Sequence, residues 1–263
     1  MWVSELRRAG VSVALIVTVL MAGCGGVSRD AASSPDGSSS VAPDARPTGD
    51  LAGCAPSGST GFVVPVPGGV PVEAVSIGTG KLAVILSHEW GASPCPWVPV
   101  ASRVAAQGYR AVVWEYGVLT GLERVKELQA VVDRVRRAGV TKVVLAGGSV
   151  GGCLSMIGAS ELTSRVDGVV VLSCAVWYDV DAQIPTTQYA AKVTVPTLYA
   201  VGDQDNATLV AGVRIDAGAV TAKDKTLLVV PGSFAHGVAL FGDPTGGPQL
   251  WQDFLGLLDR IAG

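Results

Sequence analysis

Short apolar runs alternate with helical segments from residue 81 to residue 261, and this alternation restricts the fold more than any other feature of the chain. Lys81–Leu86 is an unbroken apolar run, as a strand covered on both faces requires. Tyr109–Tyr116, Lys142–Ala146, Asp167–Ser173, Thr197–Val201 and Thr226–Val230 read as further strands. Ser93–Gln107, Gly121–Arg137, Val150–Ala159, Thr208–Val220 and Gln249–Ile261 read as helices. The clearest is Gly121–Arg137, where Leu122, Val125, Leu128, Val131, Val132 and Val135 share a face and Gly139 ends the run. Phe62–Pro67 and Val70–Ile77, joined at Pro67-Gly68-Gly69, add an antiparallel hairpin in front. The class is therefore α/β: a mainly parallel sheet of eight strands, an N-terminal hairpin, and helices on both faces.

Composition narrows the function classes. The chain has 263 residues, 49% hydrophobic and 16% charged, with a formal net charge of -3. High apolar content with little charge excludes a mostly disordered protein. Basic residues cluster only at Arg7-Arg8 and at Arg134, Arg136 and Arg137, so nucleic acid is not an expected partner. Only Val11–Ala22 reads as a membrane segment, which excludes a multi-span protein.

That segment is the core of an export signal. Arg7-Arg8 precede Val11–Leu20, and Met21-Ala22-Gly23-Cys24 follow. A Cys directly after Ala-Gly resembles a bacterial lipobox, with Met21 where Leu is usual. The resemblance implies a signal peptide over residues 1–23 and a lipid on Cys24, holding the protein on the outer face of the bacterial cytoplasmic membrane. Ordinary secretory cleavage nearby is the alternative. Residues 24–50 are rich in Ser, Pro, Ala, Asp and Gly and are expected to form a disordered tether. The globular domain is expected over residues 51–263.

Setting Cys24 aside leaves Cys54, Cys95, Cys153 and Cys174. An even number in an exported protein suggests two disulfides, with three possible connectivities. The expected pairs are Cys54–Cys95, tying the start of the domain to the loop after the third strand, and Cys153–Cys174. Two buried free thiols compete with the second pair.

The strongest chemical signal is Gly147-Gly148-Ser149-Val150-Gly151, a G-x-S-x-G between a strand and a helix. Such a sharp turn exposes the Ser149 hydroxyl, and the Val150 N–H at the helix start can hold a developing oxyanion. A phosphate cradle would need Gly-Lys-Ser/Thr, and a dinucleotide site Gly at i, i+2 and i+5; neither occurs between residues 146 and 152. A nucleophilic serine needs a base, and the only histidines are His88 and His236. His236 follows the last strand, in a loop at the C-terminal end of the sheet, where catalytic groups gather. His88 precedes the serine and is expected to shape a turn. Asp203 and Asp205, after the strand over Thr197–Val201, are the candidate acids, with Asp179 and Asp181 as further alternatives; the family resemblance described next implies Asp205, three residues after Gly202.

With Ser149, Asp205 and His236 in that order, residues 60–263 resemble an α/β-hydrolase of the serine esterase and lipase type, close to the dienelactone-hydrolase-like group. Leu86-Ser-His-Glu-Trp-Gly91 resembles that group's His-Glu-Trp stretch. The resemblance implies a second oxyanion donor at the Trp90 N–H. Dienelactone hydrolases place Cys where Ser149 stands, so the plainer role for Glu89 is a bond to backbone in its own turn. About 20 residues separate Ala175 from Val195, too few for a large lid.

Two functions are open at this point. One is a hydrolase of small ester-like substrates, carboxylic esters or thioesters, working through an acyl-enzyme as a monomer without metal or cofactor. The other is an envelope lipoprotein that keeps the fold and only binds a ligand or partner.

Overall fold

The computed structural model describes residues 48–174, 176–178 and 184–263. The strands are β1 (Thr60–Val64), β2 (Val72–Ile77), β3 (Leu82–Ser87), β4 (Arg110–Trp114), β5 (Lys142–Gly148), β6 (Gly168–Leu172), β7 (Thr197–Gly202) and β8 (Lys225–Val230). They form one sheet in the order β1-β2-β4-β3-β5-β6-β7-β8. β2 is antiparallel to β1 and to β4, and every other neighbouring pair is parallel.

Every side chain of β3, β6 and β7 is buried, because helices cover both faces. Successive side chains serve opposite cores, as the pleat demands. Ala83, Ile85, Val143, Leu145, Val169 and Val171 join one apolar cluster with Leu128, Val131 and Ile157. Val84, Leu86, Val144, Ala146, Val170 and Leu172 join the other, with Trp97, Val104, Phe254 and Leu257. The first layer carries α3 (Arg124–Arg137) and α4 (Val150–Glu161), and the second carries α2 (Val98–Ala106) and α7 (Gly247–Ala262).

Some boundaries differ from the sequence reading for local reasons. The helix expected from Gly121 opens with a 3-10 turn, Gly121–Glu123, and α3 starts at Arg124. That change of winding turns Leu122 outward, to 40% exposure, and buries Arg124 and Glu127 in its place. A short helix, α1 (Asp50–Cys54), seats the fully buried Leu51. It is tied down by a Cys54–Cys95 disulfide with Cα atoms 5.7 Å apart. Just before it, the Glu73 carboxylate accepts the N–H groups of Thr48 and Gly49. The last residues of the segment read as a tether are thus held against β2. The signal peptide, Cys24 and the rest of that segment lie outside the described residues. Among the described residues, no helix is long and apolar enough to cross a membrane.

Candidate active site

Ser149 stands between β5 and α4 at φ 54°, ψ -124°. An L residue reaches that region only under strain, and here the surroundings enforce it. The Ser149 N–H is held by Leu172 O at 2.8 Å, and Ser149 O accepts the Cys153 N–H at 3.0 Å. The helix start is pressed onto the end of β3: a methyl group on Gly151 would lie 2.2 Å from Ser87 O. A Cys153–Cys174 disulfide, Cα atoms 5.0 Å apart, fastens the first turn of α4 to the end of β6.

His236 lies beyond β8, with its Nδ1 2.8 Å from Asp205 Oδ2 and 3.1 Å from Oδ1. The Asp205 carboxylate is 1% exposed, and its Oδ1 also accepts the N–H groups of Ala207 and Thr208. A carboxylate fixed by two amides has one free direction left, and His236 occupies it. With Nδ1 donating to Asp205, the acceptor nitrogen of a neutral imidazole is Nε2. The other acid after β7 has separate work, since Asp203 Oδ1 accepts the Gly232 N–H at 2.7 Å. Asp179 and Asp181 lie outside the described residues.

The serine and the histidine come from distant stretches of chain, and Glu89 joins them. Its Oε1 accepts the Val238 N–H at 2.7 Å and its Oε2 accepts the Trp97 Nε1–H at 3.2 Å. Methyl groups on Gly148 and Gly237 would both fall within 2.3 Å of Oε1. The residue before Ser149 and the residue after His236 therefore close on the same carboxylate. Glu89 does bond backbone, but across the site rather than in its own turn. On the other side of the histidine, the Gly237 N–H donates to Ser173 Oγ at 3.1 Å. Ser173 O accepts the Thr208 hydroxyl at 3.0 Å. Ser173, at φ 49°, thus links the loops of Asp205 and His236.

The expected oxyanion donors sit at the same edge. Val150 is the first residue of α4, so its N–H has no partner within the helix. Trp90 follows Glu89 on the turn after β3, with the residue 65% exposed. Neither N–H has an acceptor among the described residues.

Beneath Trp90 lies a polar layer that the sequence did not reveal. His88 is buried, its ring stacked on Tyr116 at 3.9 Å, its Nδ1 2.9 Å from Glu89 O. Burial pushes His88 down to about 4, and the nearby Arg124 charge acts in the same direction. The Arg124 guanidinium covers the Tyr116 ring at 4.5 Å and the Trp90 ring at 5.1 Å. Glu127, fully buried, accepts the N–H groups of Gly117 and Leu119 and so shapes the loop after β4. Charged residue type hid their burial from the sequence reading, although Arg124 and Glu127 stand in phase with Leu128, Val131 and Val135 on the covered face of α3. Among the described residues, no three His, Cys, Asp or Glu side chains are grouped as metal ligands would be.

No family model and no curated protein sequence matches the chain. Solved structures do. An esterase of Pyrococcus furiosus matches at 16% identity and TM-score 0.67, over 78% of this chain and 92% of that one. A monoacylglycerol lipase of Paleococcus ferrophilus matches at 18% and 0.59, over 72% and 99%. A dienelactone hydrolase of Anabaena variabilis matches at 20% and 0.61, over 77% and 97%. With the strand order and the one antiparallel strand, β2, near one edge, these likenesses show that the chain has the α/β-hydrolase fold.

Proposed function

We propose that the protein is a serine hydrolase of small carboxylic esters or thioesters. The observation that carries this reading is the Asp205–His236 pair, whose loop packs beside a serine held at φ 54°. Ser149 Oγ attacks the ester carbonyl carbon while His236 Nε2 takes the hydroxyl proton. The oxyanion that forms is held by the N–H groups of Val150 and Trp90. Collapse breaks the bond to the leaving oxygen, which receives the proton from His236. Water, deprotonated by the same imidazole, then attacks the acyl carbon; the bond to Ser149 Oγ breaks, and Oγ takes the proton back from His236 Nε2 as the acid leaves. Asp205 keeps Nδ1 protonated and stabilises the imidazolium. The names of the structural neighbours, esterase, monoacylglycerol lipase and dienelactone hydrolase, support an ester-like substrate.

The test is labelling by a fluorophosphonate probe, together with turnover of 4-nitrophenyl acetate and butyrate. Wild-type protein labels and turns over; Ser149→Ala does neither and keeps its far-UV circular dichroism. Turnover at the wild-type rate in Ser149→Ala would remove the serine from the mechanism. A wild-type protein that neither labels nor hydrolyses would leave the binding function. The lipid on Cys24 is part of the same proposal: an enzyme tethered outside the cytoplasmic membrane, meeting its substrate there.

A further inference from the structure

Among the described residues, only two other than glycine have positive φ: Ser149 at 54° and Ser173 at 49°. One disulfide joins their neighbourhoods. Cys153 donates its N–H to Ser149 O at 3.0 Å, and Cys174 directly follows Ser173. The two cysteines are bonded, with Cα atoms 5.0 Å apart. Each is 1% exposed, and Ser173 is fully buried. An L residue keeps such a backbone only where its surroundings over-determine it, and such residues gather at functional sites. For Ser149 the proposed mechanism supplies the function. Ser173 carries no reacting group in that mechanism, so its conformation needs another reason.

Its contacts give one. The Ser173 N–H donates to Ala200 O at 2.9 Å, near the end of β7. Its Oγ accepts the N–H of Gly237, the residue after His236, at 3.1 Å. Its O accepts the hydroxyl of Thr208 at 3.0 Å, and the Thr208 N–H donates to Asp205 Oδ1. Ser173 thus meets the loop of the base with its side chain and the loop of the acid with its backbone. The disulfide then holds the residue after Ser173 to the first turn of the helix that opens at Ser149. We propose that Ser173 is a positioning residue for Asp205 and His236, and that the Cys153–Cys174 disulfide fixes it relative to Ser149. A covalent bridge sets the distance between two backbones where a hydrogen bond only favours it. Without the bridge, Ser173 can relax toward negative φ, and Gly237 and Thr208 lose their acceptors in the geometry that the reaction uses.

This inference rests on the serine-hydrolase reading, and the experiment separates the two. Hydrolysis of 4-nitrophenyl butyrate by the full chain is compared for wild type, Ser173→Gly, Cys153→Ala/Cys174→Ala and the triple variant. Glycine adopts positive φ without strain, so Ser173→Gly keeps the backbone and removes Oγ. In Ser173→Gly and in the cysteine pair kcat should fall by about tenfold or more, with KM within about twofold of wild type. The triple variant should be about as slow as the cysteine pair, because the bridge acts through Ser173. Cys54→Ala/Cys95→Ala opens the longer loop, a separation of 41 residues against 21, and costs at least as much stability on chain entropy. Its kcat should nevertheless stay within about twofold of wild type. A near-wild-type kcat in Ser173→Gly or in the cysteine pair, losses that multiply in the triple variant, or an equal loss in Cys54→Ala/Cys95→Ala overturns the proposal. Where the cysteine pair fails to fold, the kcat of Ser173→Gly decides alone. If the wild type shows no turnover, the hydrolase reading falls and proton NMR tests the positioning. The resonance of the His236 Nδ1–H, hydrogen-bonded to Asp205, should then broaden by exchange with water in Ser173→Gly; an unchanged resonance discards the positioning role.

Discussion

Glu89 Oε1 accepts the Val238 N–H at 2.7 Å, so a side chain that follows β3 fixes the segment that begins at His236. The two glycines packed against that carboxylate leave it no second position. In the proposed mechanism this hold keeps the His236 loop beside the β5–α4 turn that carries Ser149. The orientation of the base is thus set from two sides, by Asp205 on the ring and by Glu89 on the backbone.

Glu89→Ala should therefore lower kcat by about 10- to 100-fold, because small displacements of a catalytic group carry large rate penalties. KM should change far less. Glu89→Gln keeps an oxygen for Val238 but brings an amide N–H toward the Trp97 indole or the loop, so an intermediate rate is expected. Steady-state kinetics of the two variants decides it. Equal and unimpaired rates would reduce Glu89 to a packing residue.

His88 ties stability to pH. Its folded-state value of about 4 is set first by burial and lies below the ordinary 6.5. Between those values the unfolded chain binds a proton that the folded chain refuses. Stability from this group is therefore complete above about pH 6.5 and is lost as pH falls toward 4. The loss should reach about 2–3 kcal/mol by pH 4.5. Urea unfolding at pH 7 and pH 4.5 should show wild type losing that much relative to His88→Gln. A gap between the two proteins that does not change with pH would contradict the buried, neutral imidazole.

What could be read from the residues was what simple periodicities control. Lys81–Leu86 announced a two-faced strand because both helical layers demand apolar side chains at every position of β3. Ser149 and His236 were legible because a strand–Gly-rich turn–helix junction and a post-strand histidine are local features. Asp205 was preferable to Asp203 only through the family resemblance, which puts the acid three residues after a strand-ending glycine; in the structure Asp205 contacts His236 while Asp203 accepts the Gly232 N–H. Long-range polar contacts left no local trace. Ser173 at positive φ, Glu89 reaching Val238, and Arg124 turned inward each depend on chain more than thirty residues away or on a single change of helical winding.

Anchoring is a separate question from catalysis and is tested on the intact chain. Expression in a bacterial host with the native leader should give a membrane-bound product that takes up radiolabelled palmitate. Cys24→Ser should abolish the label. One acyl chain alone binds membranes weakly, whereas stable attachment needs more than one, so the modified protein should resist a salt wash. A soluble, unlabelled wild-type product would indicate ordinary secretion and leave the esterase reading untouched.

The sharpest prediction concerns the two acids after β7. Asp205 holds His236 Nδ1 and is itself held by the amides of Ala207 and Thr208. Asp205→Asn would preserve the shape of that nest while removing the charge. The asparagine can also present its N–H₂ to Nδ1, which selects the wrong tautomer and leaves Nε2 protonated and unable to accept from Ser149. A fall in kcat of about three to four orders of magnitude is expected, with partial recovery at high pH, where hydroxide can replace the missing base. Asp203→Asn loses only a charged acceptor for the Gly232 N–H in an exposed turn and should retain most of the wild-type rate. Measuring kcat for both variants between pH 6 and pH 10 gives the ranking. If Asp203→Asn is the more damaged protein, the acid has been misassigned, and the 2.8 Å contact between Asp205 and His236 serves only to hold the loop.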